Sequence, residues 1–214
     1  MSKKRILIVS YYFSPSPTPR AIRWVNLAED FIKNGHQVTV LTSSNKMNGG
    51  EISPTYVIEV NENILGRIRN IFLSRKNKDT TSTSIKEKKF KVTSFFTSIA
   101  RFFYKILILV FQWPDFSWTW VSEAKKKAFQ IIKEHGDFDI VISVSHPFSS
   151  HVVAKSIKKK YPDIDWILDN GDPFSLLKES KPNNFFLYKT LNKRVERNYM
   201  NLSKYFCVTT DETK

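Results

Sequence analysis

The sequence predicts an α/β fold built on a parallel β-sheet. Short apolar runs alternate along the chain with helical patterns, an order typical of consecutive βαβ units. The first run, ILIV at residues 6–9, is continuously aliphatic, as expected of a strand buried on both faces of a sheet. Because ligands of such sheets bind beyond the carboxyl ends of the strands, we expect a functional site in the loops that follow them.

Composition supports one folded domain with a polyanionic partner. The chain has 214 residues, of which 41% are hydrophobic and 25% charged, which excludes a disordered tail. Its single cysteine, Cys207, excludes an internal disulfide and a cysteine-rich zinc site, and no glycine-rich phosphate motif is present. The net charge of +14 predicts binding to nucleic acid, an acidic membrane face or a phosphorylated substrate.

The first half of the chain gives strand, helix and strand signals in turn. Thr18 followed by Pro19 predicts a helix start, because the threonine hydroxyl caps the first turn and proline suits the first helical position. Apolar residues then recur at helical spacing until Gly35, which predicts the helix end. The runs QVTVL at 37–41 and YVIEV at 56–60 predict the second and third strands.

The second half continues the alternation. Apolar residues share one face of a helix expected from about Ser122, with Gly136 past its end, and an apolar strand is expected at 138–144. Ser149 or Ser150 then predicts a cap for the following helix. The remaining expected elements are that helix up to residue 160, a strand at 164–168, a helix over 185–202, a strand at 205–209 and another helix start at 211–214.

Two adjacent stretches interrupt this pattern. Residues 75–91 hold seven basic and two acidic residues around a Thr/Ser run, which predicts a solvated insertion. Residues 92–111 place a Phe-rich face beside a basic one, as in a helix on a membrane surface, although an ordinary core helix is the alternative. A spanning helix would bury two cations at about 2.5–3.5 kcal/mol each. The expected membrane contacts are Phe95, Arg101, Phe102, Phe103 and Lys105.

The loop after the first strand is a candidate anion site. It enters a helix whose first amide groups lack intrahelical partners. Arg20 and Arg23 lie in or next to the first turn of that helix, where positive charge is unfavourable unless an anion lies nearby. In the alternative, Arg23 pairs with an acidic neighbour such as Glu29. Ser16 and Thr18 complete the expected substrate contacts of this loop.

The segment after the fourth strand contains two histidines. His146 precedes Pro147, which favours an extended backbone and a side chain that projects into the cleft. Histidine serves as an acid or base near neutral pH, which makes His146 a catalytic candidate, although a loop histidine is more often structural. Ser145 and His151 are the neighbouring candidates for substrate binding.

The segment after the fifth strand, DNGDPFS at 169–175, offers carboxylates at the same edge. Asp172, before Pro173, either caps the following turn or orients a sugar hydroxyl, and it is the second catalytic candidate. Asp169 is expected to act as a cap. Asn170 and Gly171 are candidate substrate contacts.

Two D-x-D matches lie elsewhere, at 137–139 and 163–165. Both lie at strand starts, opposite the expected ligand edge, so no metal site is expected there.

Four segments resemble, in order, the N-terminal half of bacterial family 4 glycosyltransferases. They are KRILIVSYYFSPSPTPRAIRW at 4–24, GHQVTVLT at 35–42, FDIVISVSHP at 138–147 and WILDNGDPFS at 166–175. The resemblance implies a GT-B enzyme with two Rossmann-like domains facing across a cleft. This chain, residues 1–214, would be the N-terminal acceptor-binding domain, with helices on both faces of its sheet. Nothing in it resembles the C-terminal donor-binding domain, so the fragment alone is expected to be inactive.

The same resemblance implies an activity and its partners. By position, Arg20 and Arg23 would lie near phosphates, and His146 and Asp172 near the transferred sugar. Transfer would be retaining and would need no metal or cofactor, with a nucleotide-sugar as co-substrate. The expected acceptor is a lipid-linked saccharide of envelope polysaccharide or glycolipid synthesis, at the cytoplasmic face of the plasma membrane.

Two non-catalytic alternatives remain open at this point. One is a scaffold module for another transferase. The other is a nucleic-acid-binding module, in which Trp113, Trp118 and Trp120 stack on bases near the lysines at 125–127. We do not expect nucleic acid as a partner, because no known nucleic-acid-reading motif is present.

Overall fold

A computed structural model of the chain describes residues 2–44, 56–67, 112–176 and 185–208, apart from the side chains of 185–187. The elements are, in chain order, β1 (Arg5–Ser10), α1 (Pro19–Lys33), β2 (Gln37–Ser43), β3 (Tyr56–Val60), α2 (Trp118–His135), β4 (Ile140–Ser145), α3 (Ser149–Lys160), β5 (Asp165–Asn170), a 3-10 helix (Phe174–Leu176), α4 (Phe185–Leu202) and β6 (Tyr205–Cys207).

The six strands described form one sheet in the order β3-β2-β1-β4-β5-β6. All five strand pairs are parallel, so the carboxyl ends of the strands lie at one edge. Val9 of β1, for example, lies opposite Leu41 of β2 and Ser143 of β4. The strand order reverses direction at β1 and β4, which is the topological switch point where α/β sheets bind ligands.

Helices cover both faces of the sheet. On one face α1 places Trp24 and Ala28 against aliphatic residues such as Ile8. On the other face Trp120 of α2 and Ile157 of α3 join a larger cluster that also includes part of α4. The predicted α/β fold, a Rossmann-like parallel sheet with helices on both faces, is confirmed.

Several predicted element boundaries are also confirmed. Thr18 caps α1, its hydroxyl accepting a hydrogen bond of 3.2 Å from the Ala21 amide, and Pro19 is the first helical residue. Gly35 follows the helix with φ +86°, a left-handed conformation that favours glycine. The bounds of β3 and α4 coincide with the predicted ones.

Two helix starts differ from the prediction. Helix α2 begins at Trp118, four residues early, because Asp115 organises the preceding turn by accepting hydrogen bonds from the Ser117 amide (3.0 Å) and hydroxyl (2.7 Å). Neither Ser149 nor Ser150 caps α3, since Phe148 occupies the N-cap position without a side-chain hydrogen bond. The predicted serine cap is therefore wrong.

The remaining differences are small. The fourth and fifth strands extend to Ser145 and Asn170, one and two residues further than predicted, so both of these residues lie within the sheet. The insertion at 75–91, the helix at 92–111 with its five expected membrane contacts, and residues 209–214 lie outside the described residues. No helix within the described ranges is long and apolar enough to cross a membrane.

Candidate active site at the carboxyl edge of the sheet

Arg20 lies at the centre of this edge. Its side chain extends from the start of α1 to the loop after β5, where Nη2 donates a hydrogen bond to Asp172 Oδ2 at 3.1 Å. It passes so close to Gly171 that a Cβ there would lie 3.0 Å from Arg20 Cζ. Arg20 Nη1 is buried and has no hydrogen-bond partner. A buried guanidinium donor without a partner is costly, which makes this atom a candidate donor to an anionic or polar ligand group.

Arg23 has a different environment. It pairs with the Asp169 carboxylate, which also accepts a hydrogen bond of 2.7 Å from Trp24 Nε1. The Asp169 side chain is only 2% exposed, so it depends on these two donors for compensation of its charge. The prediction that Asp169 acts as a cap is wrong. The alternative that Arg23 pairs with an acidic residue is confirmed, but the partner is Asp169 and not Glu29.

His146 lies close to the Arg20–Asp172 pair. Burial lowers the pKa of His146; the charges of Asp115 and Asp172 oppose this effect, while Arg20 adds to it. The imidazole is therefore neutral at neutral pH and able to accept a proton or to hydrogen-bond a hydroxyl. The structure thus brings together Arg20, His146 and Asp172, three candidates that come from three separate segments of the sequence.

His151 lies in the core, away from solvent. It is fully buried, and its Nδ1 lies 2.7 Å from the Ser143 hydroxyl, which also accepts a hydrogen bond of 2.8 Å from Trp166 Nε1. Burial lowers the pKa of His151 to about 3, with smaller effects from Arg20 and His146, so the ring is neutral. Its Nε2 has no partner. These contacts describe a core residue, not one that meets solvent at the cleft.

Two further candidates, Ser145 and Asn170, belong to a buried network. The Ser145 hydroxyl donates to Asn170 Oδ1 at 3.2 Å, and Asn170 Nδ2 donates to Glu196 Oε1 at 2.8 Å. Glu196, on α4, also accepts hydrogen bonds from the amides of Phe174 (2.7 Å) and Ser175 (3.1 Å). This carboxylate therefore caps the turn after β5, which was one of the two alternatives for Asp172, while Asp172 itself is exposed.

Sequence reasoning missed Glu196 and Asp115. Asp115 is fully buried, and besides its contacts with Ser117 it accepts hydrogen bonds from the Ser149 hydroxyl (2.7 Å) and the Ser149 amide (2.9 Å). It thereby joins the starts of α2 and α3, and its charge acts to raise the pKa of His146. The D-x-S pattern at 115–117 was a signal for a turn before a helix. Glu196 carries no local signal, because its partners lie more than twenty residues away.

The remaining predicted residues of the first loop have local roles. Thr18 is the N-cap of α1, and the buried Ser16 donates a weak hydrogen bond of 3.5 Å from its hydroxyl to Thr18. The D-x-D residues lie at the opposite edge, where Asp139 pairs with Lys4 and Asp165 pairs with Lys204. In the part of the chain that the structure describes, no cluster of three His, Cys, Asp or Glu side chains is arranged for a metal.

The tryptophans considered for base stacking do not form an exposed platform. Trp120 is fully buried, and Trp113 is half-buried, with its Nε1 donating a hydrogen bond of 3.0 Å to Asn192. Trp118 is half-buried at the start of α2. The premise of the nucleic-acid hypothesis, three exposed rings, is therefore wrong.

A hollow of about 630 Å³ lies elsewhere, beyond the end of β3 and against α2. Three of its charged groups have partners in the protein: Lys126 pairs with Glu123 at 2.9 Å, and Glu62 accepts a hydrogen bond of 2.9 Å from Tyr11 Oη. The part of the carboxyl edge beyond β1, β4 and β5 is the better candidate site, since it holds Arg20 Nη1 and the neutral His146 at the switch point.

No protein-family pattern and no curated protein sequence matches the chain. Among solved structures, the chain is similar to sucrose-phosphate synthase from Thermosynechococcus elongatus, with a TM-score of 0.53 and 10% sequence identity. The similarity covers 97% of this chain and 47% of that one. The chain has a Rossmann-like α/β fold that matches a GT-B glycosyltransferase neighbour. It spans about half of that neighbour's length, and membership of family 4 and a bacterial origin stay predictions.

Proposed function

We propose that this chain is the acceptor-side domain of a glycosyltransferase that moves a sugar from a nucleotide-sugar to a saccharide acceptor. The observation that carries the proposal is the unpartnered Arg20 Nη1 beside His146 and Asp172, at the switch-point edge of a GT-B-like sheet. In the reaction the bond from the anomeric carbon to the phosphate oxygen breaks, and a bond to an acceptor hydroxyl oxygen forms. The hydroxyl proton leaves with the nucleoside diphosphate.

Each of the three residues has a distinct role in this proposal. Arg20 donates from Nη1 to a phosphate oxygen and offsets the negative charge that develops on the leaving group. Neutral His146 hydrogen-bonds a sugar hydroxyl and is able to relay its proton. Asp172, held by Arg20 and 60% exposed, accepts hydrogen bonds from further hydroxyls. The proposal also includes retention of the anomeric configuration and independence from metal, both of which are implied by the family resemblance.

The proposed acceptor is a lipid-linked saccharide used in envelope polysaccharide or glycolipid synthesis. The protein would act on it as a peripheral protein at the cytoplasmic face of the plasma membrane. Two observations support this: the net charge of +14 and the amphipathic pattern expected at 92–111.

The test is a transfer assay on the full-length protein with a panel of nucleotide-sugars and a membrane lipid extract as acceptor. We expect release of the nucleoside diphosphate with at least one donor, and a fall in kcat/KM of about 100-fold for Arg20→Ala. Lys33→Ala, at the far end of the same helix, is the matched control and should keep full activity. Consumption of no donor, or full activity of Arg20→Ala, would contradict the proposal.

A further inference from the structure

Positive charge is concentrated on one layer of the fold. Helices α2, α3 and α4 lie on the same face of the sheet, and together they carry twelve basic and three acidic residues, a net charge of +9. Helix α1, on the other face, carries three basic and two acidic residues, a net charge of +1. The insertion at 75–91 adds +5, so this helical layer accounts for more of the excess than the insertion does.

The charge of this layer is poorly compensated. Helix α3 has four lysines and no acidic residue. Within the described ranges, no carboxylate pairs with Lys155, Lys159 or Arg194. Lys155 of α3 lies close enough to Lys125 of α2 that its charge, after burial, lowers the pKa of Lys125. Like charges held together without counterions destabilise the isolated protein, which points to an anionic partner.

Helix α4 adds apolar groups to these cations. Leu191, Arg194, Asn198 and Leu202 follow one another at helical spacings of three and four, and all four are exposed. Leu191 is 39% and Leu202 43% exposed. Cations with interspersed aliphatic side chains are typical of a surface that contacts lipid headgroups.

We propose that the exposed side of α2, α3 and α4, which we call the cationic face, binds the anionic headgroups of a lipid bilayer, with Leu191 and Leu202 entering the headgroup layer. This inference names a membrane-contacting surface for the proposed function, separate from the segment at 92–111. It uses neither the candidate active site nor transferase activity.

The aromatic residues of this layer favour lipid over nucleic acid. Single-stranded nucleic acid binds where bases stack on exposed rings. Here Lys160 Nζ lies over the Phe129 ring at 4.3 Å, and Lys155 Nζ lies over the Tyr199 ring at 4.8 Å. An ammonium group thus lies over each of these two rings and hinders base stacking there, while the cations remain available to phosphates.

The experiment is vesicle co-sedimentation of the full-length protein. Vesicles of phosphatidylcholine mixed with phosphatidylglycerol are compared with vesicles of pure phosphatidylcholine. The test variant is Lys159→Gln/Arg194→Gln, and the matched control is Lys3→Gln/Lys33→Gln, which removes two exposed cations outside the layer. A basic residue at an anionic surface contributes about five-fold in affinity, so we expect a loss of about 25-fold for the test variant. The control should lose less than about three-fold.

Binding that requires phosphatidylglycerol, weakens with salt and falls selectively in the test variant supports the proposal. Equal losses in both variants, or no binding to anionic vesicles, would overturn it. Tighter binding to a single-stranded DNA oligonucleotide than to vesicles, unaffected by Leu191→Ser/Leu202→Ser, would also overturn it in favour of a nucleic-acid surface. Because this experiment measures no catalysis, a negative result would not contradict the proposed transfer reaction, which is tested by the transfer assay.

Discussion

Replacing Glu196 with alanine removes the carboxylate that holds the loop after β5. Glu196 is 7% exposed and accepts hydrogen bonds from Asn170 Nδ2, the Phe174 amide and the Ser175 amide. The loop that it fixes carries Asp172, the partner of Arg20. The stability of the fold and the geometry of the candidate site are therefore expected to depend on the same side chain.

The magnitude follows from the donors that would be left without an acceptor. A buried donor that loses its partner costs about 1–3 kcal/mol, and Glu196→Ala affects two backbone amides and one side-chain amide. The Ser175 amide makes the longest of the three hydrogen bonds, at 3.1 Å, so its loss should cost the least. We therefore expect a decrease of about 3–4 kcal/mol in the free energy of unfolding. Glu196→Gln keeps one acceptor oxygen and should lose only about 1–1.5 kcal/mol.

The assay is equilibrium urea unfolding followed by tryptophan fluorescence. Glu123→Ala is the matched control, since Glu123 is also a helical glutamate but pairs with Lys126 in the more exposed part of α2, and it should change stability by less than about 1 kcal/mol. If Glu196→Ala and Glu123→Ala lose the same amount, Glu196 does not hold the loop in the way described here.

Three further predictions concern pH and the site. The Arg5 amide and other donors lower the pKa of Asp139, so Asp139→Asn should destabilise the protein at neutral pH. The difference in free energy of unfolding between the wild type and this variant should vanish as the pH falls through and below the ordinary aspartate pKa of about 3.9. The pKa of His151 is lowered to about 3 in the folded protein, so below about pH 6.5 the unfolded state binds a proton that the folded state does not. The free energy of unfolding should therefore decrease below about pH 6.5 by up to about 1.4 kcal/mol per pH unit. Urea titrations over this pH range should show a shallower slope for His151→Asn. Gly171→Ala places a Cβ against Arg20, so calorimetry should show weaker nucleotide-sugar binding, with a change in stability below about 1 kcal/mol.

The fold was predictable because its signals are local. Strand β3 and helix α4 show clear periodicity, and the Thr18–Pro19 start of α1 lies next to the turn that it caps. The start of α2 was missed because Trp118, Thr119 and Trp120 have weak helix propensity, and tertiary packing of the buried Trp120 overrides it.

The location of the site was predictable, but its internal pairing was not. Parallel topology alone places the loops after β1, β4 and β5 at one edge. The pairing of Arg23 with Asp169, separated by 146 residues, and of Arg20 with Asp172, separated by 152, depends on how α1 packs on the sheet. No local pattern indicates that Arg23 pairs with the buried Asp169, whereas Arg20 pairs with the exposed Asp172.

The most direct test of the proposed site is an NMR titration of the isotope-labelled full-length protein with nucleotide-sugars, observing the arginine side chains and backbone amides. The proposal predicts that the largest shifts occur at Arg20, His146 and Gly171, and that they are lost in Arg20→Ala. Shifts confined to the hollow between β3 and α2, near Glu62 and Lys126, or no shifts with any nucleotide-sugar, would contradict it.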